Sequence, residues 1–306
     1  MKTITNVEQL KNLQIAPCVV ALGTFDGVHL GHCDVINTAK SYAQSHNLEL
    51  MVFTFSNHPL SGIKGALVPP LLLDNKSKEK VLDNLGVDIL LNIPFTEELS
   101  QLSGLNFLKF LSINNVRAIV VGANYSYGHM GRGDVYSLQT DGPKFGFEVL
   151  VRKLIKLNGA VVSSTHIRNI IKEGNVEMAA MMLGRAYSIP GIVVHGDERG
   201  RTIGFPTANI NLAKSKFVLP ASGVYAGKVV VCDKVYVALL NVGNNPTFDK
   251  DELTLEAHLL NFKGDLYGEE ISVEFYYRVR DEIKFNNIED LKAQIMKDKE
   301  EIEGLF

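Results

Sequence analysis

Gly23-Thr24-Phe25-Asp26-Gly27-Val28-His29-Leu30-Gly31-His32 follows the apolar run Cys18-Val19-Val20-Ala21-Leu22 and precedes Val35, Ile36, Ala39, Tyr42 and Ala43 at helical spacing. The stretch reads as a strand, a glycine turn and a helix. Further apolar runs at 50–55, 118–121 and 147–151 continue the pattern, with helical periodicity such as 105–113 between them. Apolar strands alternating with helices predict an α/β fold whose parallel sheet is covered on both faces.

The texture changes at about Tyr187. Apolar segments at 223–231, 235–240, 253–260 and 271–277 succeed one another with turns but no helices, which predicts an antiparallel sheet or barrel. Ile288, Leu291 and Ile295 then mark a terminal amphipathic helix. The change in pattern places a boundary within 183–188, giving domains 1–185 and 186–306, in keeping with 306 residues exceeding one ordinary core.

Composition narrows the function. The chain is 46% hydrophobic and 21% charged, with a formal net charge of -3 and no run of five or six like charges. Nucleic acid and anionic membrane surfaces are therefore not expected partners. No segment approaches the roughly 18 apolar residues of a membrane span, and Met1 to Glu8 lack the apolar core of a signal peptide, so a cytoplasmic location is expected. Cys18, Cys33 and Cys232 are widely spaced and suggest neither a disulfide framework nor a zinc ribbon.

In an open parallel sheet, ligands bind beyond the carboxyl ends of the strands, where the 23–32 turn falls. The helix that follows offers its N-terminal amides to phosphate. Gly23, Gly27 and Gly31 permit close backbone approach, and His29 and His32 are spaced to share one pocket. Such a set suits stabilisation of a pentacoordinate phosphorus without a covalent intermediate. Paired histidines also bind metals, although no third ligand stands at a convincing spacing, and a purely structural turn is the other alternative.

The second informative stretch is Gly196-Asp197-Glu198-Arg199-Gly200-Arg201-Thr202-Ile203-Gly204-Phe205-Pro206-Thr207-Ala208-Asn209. Amides between Gly200 and Gly204 can cradle phosphate, and the side-chain oxygens of Thr207 and Asn209 suit Mg²⁺. A tight structural loop is the plainer reading. Glu256, on the apolar strand 253–260, either faces solvent by alternation or, partly buried, serves as a general base; His258 on the same face reads as structural.

The turn at 23–32 resembles the HxGH-type motif of the nucleotidyltransferase superfamily, and within it the bacterial bifunctional riboflavin kinase/FMN adenylyltransferase (FAD synthetase) family. His58-Pro59, Gly122-Ala123-Asn124-Tyr125-Ser126-Tyr127-Gly128 and Ser163-Ser164-Thr165-His166-Ile167-Arg168 recur in the family's order. So do Gly204-Phe205-Pro206-Thr207-Ala208-Asn209, Gly223-Val224-Tyr225-Ala226-Gly227, 241–248, and Glu256 followed by Asp265-Leu266-Tyr267-Gly268. The resemblance covers nearly the whole chain. The chain departs from it at His166, where arginine is common, and at Asn124 and Ser126, where aspartate and arginine are common.

The resemblance implies a Rossmann-like nucleotidyltransferase domain followed by a riboflavin kinase barrel, with riboflavin, FMN, FAD and ATP as substrates and products and Mg²⁺ as cofactor. It implies His29, His32, Arg168 and Glu256 as catalytic groups. It assigns Gly23, Phe25, Gly31, Ser164, Thr165, Gly200, Gly204, Pro206, Thr207 and Asn209 to ATP, the last two also to the metal. Asn124, Tyr125, Tyr127, His58 and Arg280 fall to the flavin. No obligatory protein partner is implied. A kinase with weak adenylyl transfer and a flavin-binding regulator are the alternatives, and retention of Thr207, Asn209 and Glu256 together argues against the regulator.

Overall fold

The computed structural model describes all residues except 9–14, 63–64, 197–199, 201–202, 213–215 and 245–252, together with the side chains of Asn244 and Leu253. The chain forms two compact units, Met1–Pro69 with Leu73–Ser164, and Pro70–Leu72 with Thr165–Phe306.

The first unit is built on six parallel strands: β1 (Lys2–Ile4), β2 (Cys18–Leu22), β3 (Glu49–Phe55), β4 (Ile89–Ile93), β5 (Val116–Gly122) and β6 (Glu148–Arg152), in the order β1-β4-β3-β2-β5-β6. Every residue of β2 and β4 is buried, because apolar layers cover both faces of the sheet. One layer gathers Val20, Met51, Leu91 and Ile119 under Phe107 and Leu108; the other gathers Val19, Val52, Leu90 and Val120 under Ile36, Ala39 and Leu82.

Helices α1 (Leu30–His46), α2 (Asn75–Asn84), α3 (Glu97–Ser100), α4 (Gly104–Ser112) and α5 (Val135–Asp141) join the strands. A short hairpin, β7 (Lys156–Leu157) with β8 (Ala160–Val161), follows β6. Strand order runs outward from β2 in both directions, so the turn after β2 stands at the switch point where such sheets bind ligands.

Helix α6 (Ser164–Lys172) begins at the edge of the first unit, and α7 (Val176–Leu183) packs on strands of the second. That unit is a closed antiparallel barrel of β9 (Tyr187–Val194), β10 (Ala208–Ile210), β11 (Gly223–Val231), β12 (Lys234–Asn244), β13 (Leu253–Leu259) and β14 (Glu270–Arg280), ordered β10-β13-β12-β11-β14-β9. Residues 165–185, whose pattern groups with the sheet domain by sequence, thus pack with the barrel. Tyr225 and Phe275, both completely buried, meet edge to face inside it. Helix α8 (Ile288–Glu303) closes the chain, its buried Ile302 packed with Val224, Ala226 and Leu239.

Both expected domains take their expected architecture. The three cysteines are free thiols: Cys18 is buried, which with nearby Glu49 pushes its thiol up to about 12, and Cys232 is exposed. No helix among the described residues is long and apolar enough to cross a membrane.

Candidate active sites

The turn between β2 and α1 has an unusual backbone. Phe25, Gly27 and Val28 all take left-handed conformations, with φ of 46°, 79° and 39°. Glycine does so freely, but for phenylalanine and a β-branched valine it costs of order 1–3 kcal/mol each. Complete burial of both side chains offsets that cost. Gly23 makes room for the Phe25 ring, since a Cβ there would lie 3.1 Å from it.

His29 is the N-cap of α1, and its Nδ1 accepts the His32 amide at 3.3 Å. A neutral ring accepting at Nδ1 carries its proton on Nε2, leaving that nitrogen a donor. The His29 and His32 rings stack with centroids 3.6 Å apart and planes 14° from parallel, and Phe25 meets His32 edge-on. The two imidazoles, three residues apart in the sequence, thus stack directly on one another. Gly31 allows it, because a Cβ there would stand 3.2 Å from the His29 ring.

Ser164, at the start of α6, donates from Oγ to the Asp26 carbonyl at 2.9 Å and so ties that helix end to the turn. Thr165 is exposed. Arg168, in the second unit, is buried and donates from Nε to the Pro70 carbonyl at 2.6 Å.

Among the flavin-directed residues, Asn124 is exposed just beyond β5. Tyr125 is half-buried and stacks on Tyr127 at 9° with centroids 6.1 Å apart. Burial raises both phenols above their ordinary values. Tyr127 belongs to the core beside Phe107, and Gly133 leaves space for its ring. His58 accepts the Leu60 amide at Nδ1, 3.1 Å away. Arg280 grips Asp298 of α8 through both Nε and Nη2, the latter at 2.7 Å.

In the barrel, Asn209 on β10 is the register partner of Glu256 on β13, and Glu256 is in turn paired with Asn241 on β12. Thr207, just before β10, donates from Oγ1 to Glu256 Oε2 at 3.1 Å. Thr207, Asn209 and Glu256 thus converge at one edge of the barrel, with Glu256 half-buried between solvent and core. The preceding loop turns on Gly200, whose carbonyl accepts the amides of Ile203 and Phe205. A Cβ at Gly200 would run into the Phe205 carbonyl, and one at Gly196 into the Asn209 amide. Gly204 has a φ of 91° and Pro206 is exposed. His258 contributes to the loop's support through Nδ1 and the Pro206 carbonyl, 2.8 Å apart. The motif residues at 197–199, 201–202 and 245–248 lie outside the described residues.

One charged group near the first site escaped the sequence reading. Lys78 of α2 is buried, with Nζ on the Phe55 carbonyl at 3.0 Å. Its spacing of four from buried Leu82, on a helix whose other apolar residue is Val81, was the available signal.

A parallel sheet with paired imidazoles at a helix N-terminus, joined to a closed barrel carrying a hydroxyl, amide and carboxylate cluster, defines a two-domain nucleotide-handling protein. Comparison with known families gives the same division. The FAD synthetase family model matches residues 11–166, and the riboflavin kinase model matches 183–306. The chain is 40% identical to the bifunctional riboflavin kinase/FMN adenylyltransferase of Bacillus subtilis (strain 168) over 98% of this chain and 97% of that one. It is 35% identical to the Escherichia coli (strain K12) protein of that name, over 97% and 96%. A Streptococcus pneumoniae crystal structure described as a macrolide-efflux protein superposes with a TM-score of 0.89 at 32% identity, covering 98% of both chains. The chain belongs to the bifunctional riboflavin kinase/FMN adenylyltransferase family.

Proposed function

We propose that this chain makes FAD from riboflavin in two ATP-dependent steps. The barrel domain, 186–306, phosphorylates riboflavin to FMN, and the sheet domain, 1–185, joins FMN to AMP and releases pyrophosphate. The observation that carries the reading is the convergence of Thr207, Asn209 and Glu256 on neighbouring strands beneath a glycine loop.

In the kinase step Glu256 is the general base. As the riboflavin 5'-hydroxyl oxygen bonds to the γ-phosphorus, its proton passes to a Glu256 carboxylate oxygen and the bond to ADP breaks. The donor set fits a hard cation: the Thr207 hydroxyl and Asn209 amide supply neutral oxygens beside a carboxylate, and Mg²⁺ prefers such ligands together with phosphate oxygens. When bound, the cation neutralises charge on the triphosphate. Gly200, Gly204 and Pro206 shape the loop that follows the phosphates.

In the adenylyl step an FMN phosphate oxygen attacks the α-phosphorus of ATP and the bond to pyrophosphate breaks. The attacking phosphate is already ionised, so no base is required. The Nε2 proton of His29, the ring of His32 and the first amides of α1 stabilise the added charge. Gly23, Phe25, Gly31 and Ser164 hold the turn that receives ATP, while Thr165 and Arg168 are assigned to it from the sequence pattern alone. Asn124, Tyr125 and His58 receive the flavin, with Tyr127 as the support beneath Tyr125, and Arg280 holds the segment that closes over flavin in the barrel. Reliance on ATP and free flavin makes a cytoplasmic location part of the same proposal.

A single chromatographic time course tests this. With riboflavin, ATP and Mg²⁺, FMN appears first, and FAD and pyrophosphate follow. FMN that accumulates without FAD identifies a kinase alone, and flavin binding without either product identifies a regulator.

A further inference from the structure

The backbone pairing of β3 with β4 stops at a proline. Phe55 is in register with Ile93, and the Ser56 amide donates to the Ile93 carbonyl, but Pro94 has no N–H with which to carry the ladder on. Side chains take over from there. Asn75 Nδ2 and Lys78 Nζ, both of α2, donate to the Ser56 and Phe55 carbonyls at 2.8 and 3.0 Å. The Asn57 carboxamide takes the residue after the proline: its Oδ1 accepts the Phe95 amide at 2.6 Å, and its Nδ2 donates to the Phe95 carbonyl at 3.3 Å. The Phe95 ring meets Phe55 edge to face, 5.1 Å between centroids. Asn57 thus continues the β3–β4 pairing with a side chain where the backbone cannot.

The next residue is His58, which the adenylyl-transfer reading gives to the flavin. It precedes a single 3₁₀ turn, Pro59–Gly62, and is tied to it twice. The Ser61 amide donates to the His58 carbonyl at 2.8 Å, and the Leu60 amide to its Nδ1 at 3.1 Å. A neutral imidazole accepting at Nδ1 carries its proton on Nε2, the nitrogen able to donate to a flavin oxygen. Asn57 Nδ2 also donates to Ser61 Oγ at 2.8 Å, so one carboxamide joins this turn to the Phe95 backbone. The turn stands on the strand beside the 23–32 motif: β3 pairs with β2, Thr54 Oγ1 donates to the Thr24 carbonyl at 2.8 Å, and the Gly23 amide donates to the Phe53 carbonyl at 3.3 Å. The sheet itself closes without the clamp, since β3 and β4 are already in register from Met51 to Phe55. What the clamp adds is a fixed exit for the chain that carries His58.

We infer that Asn57 is a positioning residue for adenylyl transfer: by holding the Phe95 backbone and the Ser61 hydroxyl together, it sets the turn that presents His58 to the flavin of FMN. Asn57 touches no substrate in this role and acts through His58. The inference rests on the adenylyl-transfer reading above.

The test measures FMN-to-FAD conversion against FMN and against ATP for the full-length wild type, Asn57→Leu, Asn57→Gln, His58→Ala and the double variant Asn57→Leu/His58→Ala. Leucine keeps the size of asparagine without its hydrogen bonds, and glutamine keeps the carboxamide. Asn57→Leu is expected to raise KM for FMN about tenfold, the scale of one to two net hydrogen bonds, and to leave kcat and KM for ATP nearly unchanged. Asn57→Gln should recover part of the loss. With His58 already replaced by alanine, Asn57→Leu should add little, because the two act as one unit.

An unchanged KM for FMN in Asn57→Leu, an equal rise in both KM values, or effects of Asn57→Leu and His58→Ala that simply add overturns the inference. So does a His58→Ala variant with the wild-type KM for FMN, which removes His58 from the flavin. If Asn57→Leu does not fold, Asn57→Gln is measured against His58→Ala in its place, and the same coupling supports the inference while its absence overturns it. A wild-type chain that makes FMN but no FAD overturns the adenylyl reading itself.

Discussion

Glu256 and Thr207 are 49 residues apart in the chain and joined by a 3.1 Å hydrogen bond. A carboxylate held this way accepts a hydroxyl proton on one oxygen while the other stays bonded to Thr207. Glu256→Gln keeps the shape and the bond to Thr207 but cannot take the proton. It should lower kcat for riboflavin phosphorylation by roughly 10²–10⁴-fold, with KM for riboflavin nearly unchanged, in steady-state assays. A fall below threefold would remove Glu256 from the base role. Alternation along β13 left Glu256 facing either water or the site; the register places it beside Asn209, and its bond to Thr207 is a contact that alternation alone does not reveal. The same limit applied elsewhere. The His29–His32 spacing made their proximity legible, but the left-handed Phe25 and Val28 were not, because neither residue type signals that backbone. Tyr127, which the family resemblance gives to the flavin, packs in the core, because an aromatic residue in a motif and one in a core have the same composition signal.

At the level of elements, the strands were the most readable features, because apolar runs between glycine turns admit few alternatives. What fastens one element to another was hidden. Arg280 of β14 and Asp298 of α8 form a two-pronged ion pair, with Asp298 1% exposed and also accepting from Gln294. In the sequence Asp298 is one more charge in Lys297-Asp298-Lys299-Glu300-Glu301. Removing one member of such a pair leaves the other charge buried and typically costs about 3–5 kcal/mol. Asp298→Asn should therefore unfold the barrel unit at lower urea, and riboflavin phosphorylation should fall at the same concentrations. Arg280→Met/Asp298→Leu, which removes both charges, should regain most of that loss. If Asp298→Asn unfolds with the wild type, the pair contributes nothing to docking α8.

For the whole molecule, each unit has its own core, both reactions consume ATP, and FMN is the one species that is the product of the first and the substrate of the second. His29→Ala should abolish conversion of FMN to FAD and leave riboflavin phosphorylation intact, because His29 belongs to the sheet unit and Glu256 to the barrel. Glu256→Gln should do the reverse. Neither variant alone should make FAD from riboflavin. An equimolar mixture of the two should make it after a lag, as the His29→Ala chains accumulate FMN and the Glu256→Gln chains consume it. The lag should shorten as total protein rises and vanish when FMN is supplied at the start, both readable by following flavins chromatographically. A mixture that makes FMN but never FAD, while the Glu256→Gln chains convert added FMN, would mean that FMN formed at the barrel is not released to solution. Loss of both activities in either single variant would contradict two separate sites.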